Sequence, residues 1–406
     1  MPERSHRDAA PPAWPADALS RLRLARTPGV GPLTYRRLLG RHRTAEEALH
    51  ALPDIARAAG RDALALHTVQ AAEQELAGLR RLGARLLFLG DADYPALLTL
   101  LPDPPPVLAL LGDAALLRAR RTIGIVGARN ASANGRRMAE ALATDLAARE
   151  LVVVSGLARG IDAAAHEGAL AVGHTIAAVA GGLDRPYPPE HAALQARIAE
   201  RGAVLAEAPL GTAPQSRHFP RRNRIIAGLC LGVVVVEAAL RSGTLITAGL
   251  AQDADREIFA VPGSPLDPRC HGSNDLIRQG AHLTESAADV LAHLPDHPGR
   301  RGLGRDPLFA AGAPDGFAEP ARPAPEPDPP PALLPQIRAE LLELLGPAPT
   351  DIDEVIRRSQ FPASAIMAAL SQLELALRIE VVPGNRAVLL APQGQAGLAT
   401  ARDRLR

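Results

Sequence analysis

Five short apolar runs punctuate the middle of the chain, at residues 122–126, 151–154, 175–180, 232–236 and 257–261, each followed by a turn that contains glycine and then a stretch of helical period. Runs of strand length without polar alternation suit strands buried on both faces. Their regular exchange with helices predicts an α/β domain with a doubly wound, parallel, extended Rossmann-like sheet. Upstream, residues 16 to about 89 read as short helices, around 19–24, 35–39 and 45–52, with the turn Thr27-Pro28-Gly29-Val30-Gly31-Pro32 after the first. Downstream, residues 297–331 shift to Pro, Gly, Ala and charge, a composition that buries too little apolar area to fold alone. Beyond it, 333–345, 351–358 and 363–375 read as three helices, followed by strands at 379–382 and 387–390 around Pro383-Gly384-Asn385, the pattern of a winged helix. The domain plan is therefore an unstructured N-terminus (1–15), a small helical domain (16–92), the Rossmann-like core (93–296), a linker (297–331), a winged helix (332–392) and a tail (393–406).

Composition narrows the chemistry. With 406 residues, 47% of them hydrophobic and 22% charged, the chain can build more than one core. The longest apolar run, 225–236, is too short and too interrupted by glycine to span a bilayer, and the N-terminus lacks the apolar segment of a signal peptide. Two cysteines, Cys230 and Cys270, make neither a disulfide framework nor a zinc set, so a reducing cytoplasm and no metal are expected. Forty-five basic against 44 acidic residues give a net charge of +1, so any attraction for a polyanion has to be local. The chain contains no lysine, a pattern that reads first as coding bias, and every fixed cation is an arginine able to fork onto phosphate or stack on a base.

Local candidates follow. The first run ends in Gly127-Ala128-Arg129-Asn130, ahead of a helix whose N-terminus suits phosphate, although no GxGxxG fingerprint is present. The second leads into Ser155-Gly156-Leu157-Ala158-Arg159-Gly160-Ile161-Asp162, where Ser155 and Arg159 offer a hydroxyl and a fork at the same sheet edge. Asp162 reads equally as a helix cap, and His166 as a packing residue. The densest signal is Arg217-His218-Phe219-Pro220-Arg221-Arg222-Asn223-Arg224: four arginines, no acid and a phenylalanine in a chain that is only 2% aromatic. Guanidiniums for phosphates beside an aromatic face for a base is what single-stranded nucleic acid requires. No nucleophile elbow, P-loop or metal-binding motif appears, so binding outranks catalysis and no cofactor is expected.

The ordered set VGARNASANG, SGLARGIDAAAH, AGGLDRPYPPEH, FPRRNRIIAGL, VVVVEA, SGTLITA, AVPG and GSNDLI resembles the DprA/Smf family of bacterial DNA-processing proteins, over about residues 94–281. The resemblance implies a homodimer that binds single-stranded DNA without sequence preference and loads the RecA recombinase during natural transformation, with no membrane role. It places a DNA pocket on Gly127, Arg129, Ser155, Gly156, Arg159, Arg217, Phe219, Arg222, Asn223 and Arg224. Arg129, Arg217 and Arg222 are expected to meet phosphates, Ser155 to donate a hydrogen bond and Phe219 to stack a base, while Arg159 has the alternative of pairing with Asp162. The segment 27–32 resembles a helix-hairpin-helix turn, whose N–H groups can hold a phosphate, or a simple turn. In the winged helix, the helix in the recognition position, 363–375, carries no basic residue and is expected to pack or contact protein rather than read DNA. The rival reading is a Rossmann-fold nucleoside-monophosphate hydrolase of the lysine-decarboxylase-like type, whose PGGxGT signature Pro262-Gly263-Ser264-Pro265 breaks.

Overall fold

The computed structural model describes residues 14–295, 330 and 333–390; the expected N-terminal extension, nearly all of the linker and the tail lie outside them. The chain divides into two compact units, one of Met1–Trp14 with Gln74–Pro314, the other of Pro15–Glu73 with Asp315–Arg406.

The first unit is built on a sheet of nine strands: β1 Arg85–Phe88, β2 Val107–Gly112, β3 Thr122–Val126, β4 Val152–Ser155, β5 Thr175–Val179, β6 Ala203–Ala206, β7 Gly232–Val235, β8 Glu257–Ala260 and β9 His282–Leu283. Their order is β1-β2-β6-β5-β4-β3-β7-β8-β9. From β6 to β9 every pairing is parallel, whereas β2 runs antiparallel to both β1 and β6. The doubly wound α/β sheet is present, and it is extended at one edge by an antiparallel pair. Residues 85–88, expected within the helical domain, are strand β1 of this sheet.

Alternation along the central strands explains the two helical layers. Ile123, Ile125, Val153 and Val234 pack with helices Ala133–Ala147 and Ile161–Val172, while Val126, Val154, Val233 and Val235 pack with helices His218–Leu229 and Gly243–Asp253. Both faces are covered, which is why these strands read as unbroken apolar runs. The first two helices approach so closely that a Cβ on Gly168 would intrude on the Glu140 carbonyl.

The second unit joins segments from both ends of the chain. Helices Ala18–Arg26, Pro32–Arg41 and Ala45–Ala58, the last capped by Thr44, form its N-terminal part. Helices Leu334–Leu344, Ile352–Arg358 and Ala363–Leu375, with strands β10 Thr350–Asp351, β11 Ile379–Val382 and β12 Arg386–Leu389, form the winged helix. The wing is a three-stranded sheet of order β10-β12-β11. The two parts exchange core residues: Leu33 is buried among the winged-helix side chains, and Leu375 among Leu24, Val30 and Tyr35. Among the described residues no helix is long and apolar enough to cross a membrane.

The Gly168 contact sets a test of the helical layer. Gly168→Ala should destabilise the first unit by about 1–3 kcal/mol, because backbone cannot yield to the added methyl as a side chain would. Urea unfolding should show a lower midpoint at unchanged slope.

Candidate nucleic-acid interface

The carboxyl ends of β3, β4 and β5 open into a cavity of about 330 Å³. The loop after β3 supplies Arg129, the loop after β4 supplies Gly156 and Arg159, the loop after β5 supplies Arg185 and Tyr187, and the start of helix His218–Leu229 supplies Phe219 and Arg222. The guanidinium of the exposed Arg129 lies over the Phe219 ring, 4.6 Å from its centroid. Tyr187 meets the same ring at 5.7 Å between centroids with the planes tilted by 53°. A cation and two aromatic rings thus converge at the place in a parallel sheet where ligands bind. Tyr187 and Arg185 were not singled out in the sequence, although one of only three tyrosines, two positions after an arginine and directly before two prolines, was the available signal.

The structure separates the remaining candidates by job. Arg222 is buried, its Nη1 donating to the carbonyls of Gly156 and of Ala178 at 2.9 Å, and its Nε to Asn223 Oδ1 at 3.1 Å. Arg222 thus lines the cavity with a guanidinium committed to two carbonyls, a holding role beside the phosphate contact expected of it. Gly156 leaves room for that guanidinium. Ser155 is fully buried and donates to the Ile125 carbonyl at 2.6 Å, so its hydroxyl joins β4 to β3 instead of reaching a ligand. Gly127 sits against Ile161 and its carbonyl accepts from Thr244 Oγ1 at 3.0 Å. Asn223, nearly buried, accepts from Arg222 and leans its amide toward the Gly243 carbonyl at 3.5 Å.

Arg224 is committed within the protein as well. It is buried between Glu207, at 2.5 Å, and Asp103, at 3.6 Å. Burial opposes its charge, yet the Glu207 and Asp103 carboxylates together hold its pKa above the ordinary value. Arg159 pairs with Glu190 and not with Asp162; both partners are largely exposed, so the pair contributes little stability and leaves Arg159 able to exchange partners. Arg217 is exposed ahead of the helix, its Nε donating to His218 Nε2 at 3.4 Å, and does not line the cavity. The helix start after β3, expected to suit phosphate, is already taken: Ser132 donates from its N–H, at 2.9 Å, and its hydroxyl, at 2.5 Å, to the buried Glu237 carboxylate at the end of β7.

Beneath the cavity, buried titratable groups share one low-dielectric region. Desolvation lowers the Arg222 pKa to about 10, with Asp162 opposing the shift and Arg129 adding to it, so the group remains a cation at neutral pH. Desolvation raises the Asp162 carboxyl against the pull of Arg222. His166 is fully buried, with Nδ1 2.7 Å from Thr175 Oγ1, which itself donates to the Val153 carbonyl at 2.7 Å. The threonine has only one proton, so the network assigns the imidazole hydrogen to Nδ1. Burial first, then the charges of Arg222 and His191, lower the His166 pKa from 6.5 to about 3.

The folded pKa lies below the unfolded one, so the unfolded chain takes up the proton first and stability falls as the solution is acidified from 6.5 toward 3. One such proton gives a slope of about 1.4 kcal/mol per pH unit. His166→Gln should remove that component, so unfolding free energies of wild type and variant plotted against pH should converge on acidification; parallel curves would contradict the assignment.

Comparison with known proteins accords with this architecture. Residues 85–295 match the family model described as DNA recombination-mediator protein A, residues 15–78 a DprA-like N-terminal HHH domain, and residues 323–385 a DprA winged helix domain. The chain is 44% identical over 222 residues to the DNA processing protein DprA of Bacillus subtilis, covering 54% of this chain and 75% of that one. It is 38% identical over 315 residues to Protein Smf of Escherichia coli, covering 77% and 79%. The X-ray structure of DNA processing protein A from Streptococcus pneumoniae aligns with a TM-score of 0.57 at 36% identity, covering 68% of this chain and 97% of that one. By fold, by domain content and by sequence, the chain belongs to the DprA/Smf family of DNA-processing proteins.

Proposed function

We propose that this protein retains single-stranded DNA at the cavity above β3, β4 and β5 and delivers the strand to the RecA recombinase in transformation or recombination. The observation that carries the reading is the stack of Arg129 over Phe219 with Tyr187 at its side. A base can lie on an aromatic ring whatever its identity, so such a site favours single strands without choosing a sequence. Arg129 and Arg185, both exposed on the rim, meet the flanking phosphates, and Arg217 extends the cationic track. Arg222 supports them from below by fixing the Gly156 and Ala178 carbonyls.

Retention rather than turnover suits these groups, because a guanidinium neither gives nor takes a proton at neutral pH and so cannot serve as a general acid or base. Delivery to RecA is supported by membership of a recombination-mediator family. A homodimer working in the cytoplasm completes the reading, since two cavities on one assembly would hold a strand at two points and raise its residence by effective concentration.

Fluorescence anisotropy of a labelled oligo-dT tests the site. Phe219→Ala should cost about 1–3 kcal/mol of binding, the usual worth of one base on one ring. Arg129→Ala should weaken binding and reduce the slope of log K against log salt by about 0.7, the value for one phosphate on a single strand. Unchanged affinity in both variants, with wild-type unfolding curves, would sink the proposal. RecA filament growth on a strand precoated with single-strand-binding protein tests delivery: acceleration by wild type and not by the Phe219→Ala variant is expected, and no acceleration by wild type would remove the RecA step.

A further inference from the structure

In the second unit, a carboxylate from the far end of the sequence closes the turn between the first two helices. Glu374, near the C-terminal end of helix Ala363–Leu375, is 6% exposed and accepts a hydrogen bond from the buried Thr34 hydroxyl. Its carboxylate rests directly on Gly31, where any side chain would collide with it. Gly29, with φ of +91°, brings its backbone equally close to the Glu374 carbonyl and to Leu375. Gly31 is the N-cap of helix Pro32–Arg41 and has no side chain with which to cap it, while Pro32 has no N–H. The first turn of this helix therefore presents the N–H groups of Leu33 and Thr34 without a local side-chain acceptor, at the positive end of the helix dipole.

Two arginines of the N-terminal part face the same partner. Arg61 donates from Nη1 to the Pro28 carbonyl at 3.1 Å and to the Leu375 carbonyl at 2.9 Å, and Arg37 donates to the Ser364 carbonyl at 3.5 Å. A helix start, glycine backbone that admits close approach, a threonine hydroxyl and, on the carbonyl of the next residue, the Arg61 guanidinium are thus gathered near one buried carboxylate, while Arg37 fastens the opposite end of the helix at Ser364. A carboxylate and a phosphodiester share the charge and the acceptor oxygens that such a cluster recognises. The winged-helix face that covers it, 363–375, has no cation of its own and supplies the anion instead.

We propose that Glu374 is an internal substitute for a nucleic-acid phosphate: the docked winged helix closes a second backbone-binding surface on residues 27–37 and Arg61, and this surface opens to DNA when the winged helix leaves it. The site takes the sugar-phosphate backbone without reading bases, because it offers backbone N–H groups, a hydroxyl and the Arg61 guanidinium but no exposed aromatic platform. It is separate from the cavity of the first unit and does not depend on the function proposed for that cavity. The contact therefore acts as a latch, with nucleic acid and Glu374 as competitors for one place.

The test uses the full chain with the first cavity disabled by Arg129→Ala and Phe219→Ala, and compares Glu374 with Glu374→Gln and Glu374→Ala in that background. Hydrogen exchange reports docking through the amides of residues 28–35, and the helices 18–26 and 363–375 report whether each part stays folded. Both substitutions should raise exchange at 28–35 while those helices stay protected, and should tighten labelled oligo-dT binding on the order of tenfold in low salt. Adding Arg61→Ala should abolish the gain. Unchanged protection at 28–35 would overturn the latch, and release of the winged helix without tighter DNA binding would overturn the phosphate mimicry. A gain that survives Arg61→Ala would assign the new binding to some other surface and overturn the site as drawn. Because all variants share the disabled cavity, none of these outcomes depends on whether the cavity itself binds DNA.

Discussion

Arg222 carries a charge at a nearly buried position, and the geometry of the sheet edge follows from how that charge is satisfied. Its guanidinium binds the Gly156 carbonyl just past β4 and the Ala178 carbonyl within β5, and it uses Asn223 to orient its remaining edge. Both carbonyls lie near the ends of parallel strands, where the ladder runs out and acceptors need partners. One cation thereby joins two strands to the helix between β6 and β7, at the roots of the loops that carry Arg159 and Tyr187. Desolvation is the cost, visible in a pKa lowered to about 10, and Asp162 offsets part of it. Removing this side chain would leave two buried carbonyls and one buried carboxyl without their cation, so the cavity would lose its floor before it lost any ligand contact.

The same chemistry recurs with the sign reversed. Glu237 fills the start of helix Ala133–Ala147 through Ser132, and Glu374 fills the start of helix Pro32–Arg41 through Thr34. In a chain of nearly zero net charge, cations and anions are matched locally, and a helix N-terminus is open to a ligand only where no internal carboxylate has reached it. That rule separates the exposed cationic rim of Arg129, Arg185 and Arg217 from the arginines that hold the fold. It also limits what proximity to a helix start can say about function.

Much of the fold was legible in sequence because burial on both faces leaves a plain mark: β3, β4, β5, β7 and β8 lie within one or two residues of the apolar runs. The winged helix was legible from helical period followed by two strand-like segments around Pro383-Gly384-Asn385. The strands at the antiparallel edge were not. β6 reads Ala-Val-Leu-Ala, too poor in β-branched residues to stand out, and β1 is four residues directly after a helical stretch. At the site, the loops were found but the roles within FPRRNR were not, because a sequence shows that arginines are adjacent and not which side of their helix is covered. From Arg222 onward helix His218–Leu229 is entirely buried, so Arg222 and Arg224 point into protein while Arg217 and Arg221, before that point, stay in water.

Two carboxylates that reach that helix come from the part of the sheet that the sequence concealed. Arg224 is held by Asp103, in the segment leading into β2, and by Glu207, immediately after β6. These two strands meet where the antiparallel extension joins the last strand of the parallel core. Had the sheet stopped at β5, Arg224 would stand at an open edge, hydrated and available to a phosphate, as a charge run usually is. The added strands supply two carboxylates and the walls that bury them, turning one arginine of the run into a clamp on the helix and leaving Phe219, one turn earlier, rigidly presented to the cavity. A stacking residue must be held in place before a base arrives, since ordering it on binding would offset the contact energy. The hidden edge of the sheet therefore bears on recognition through the helix it anchors, although none of its own residues lines the cavity.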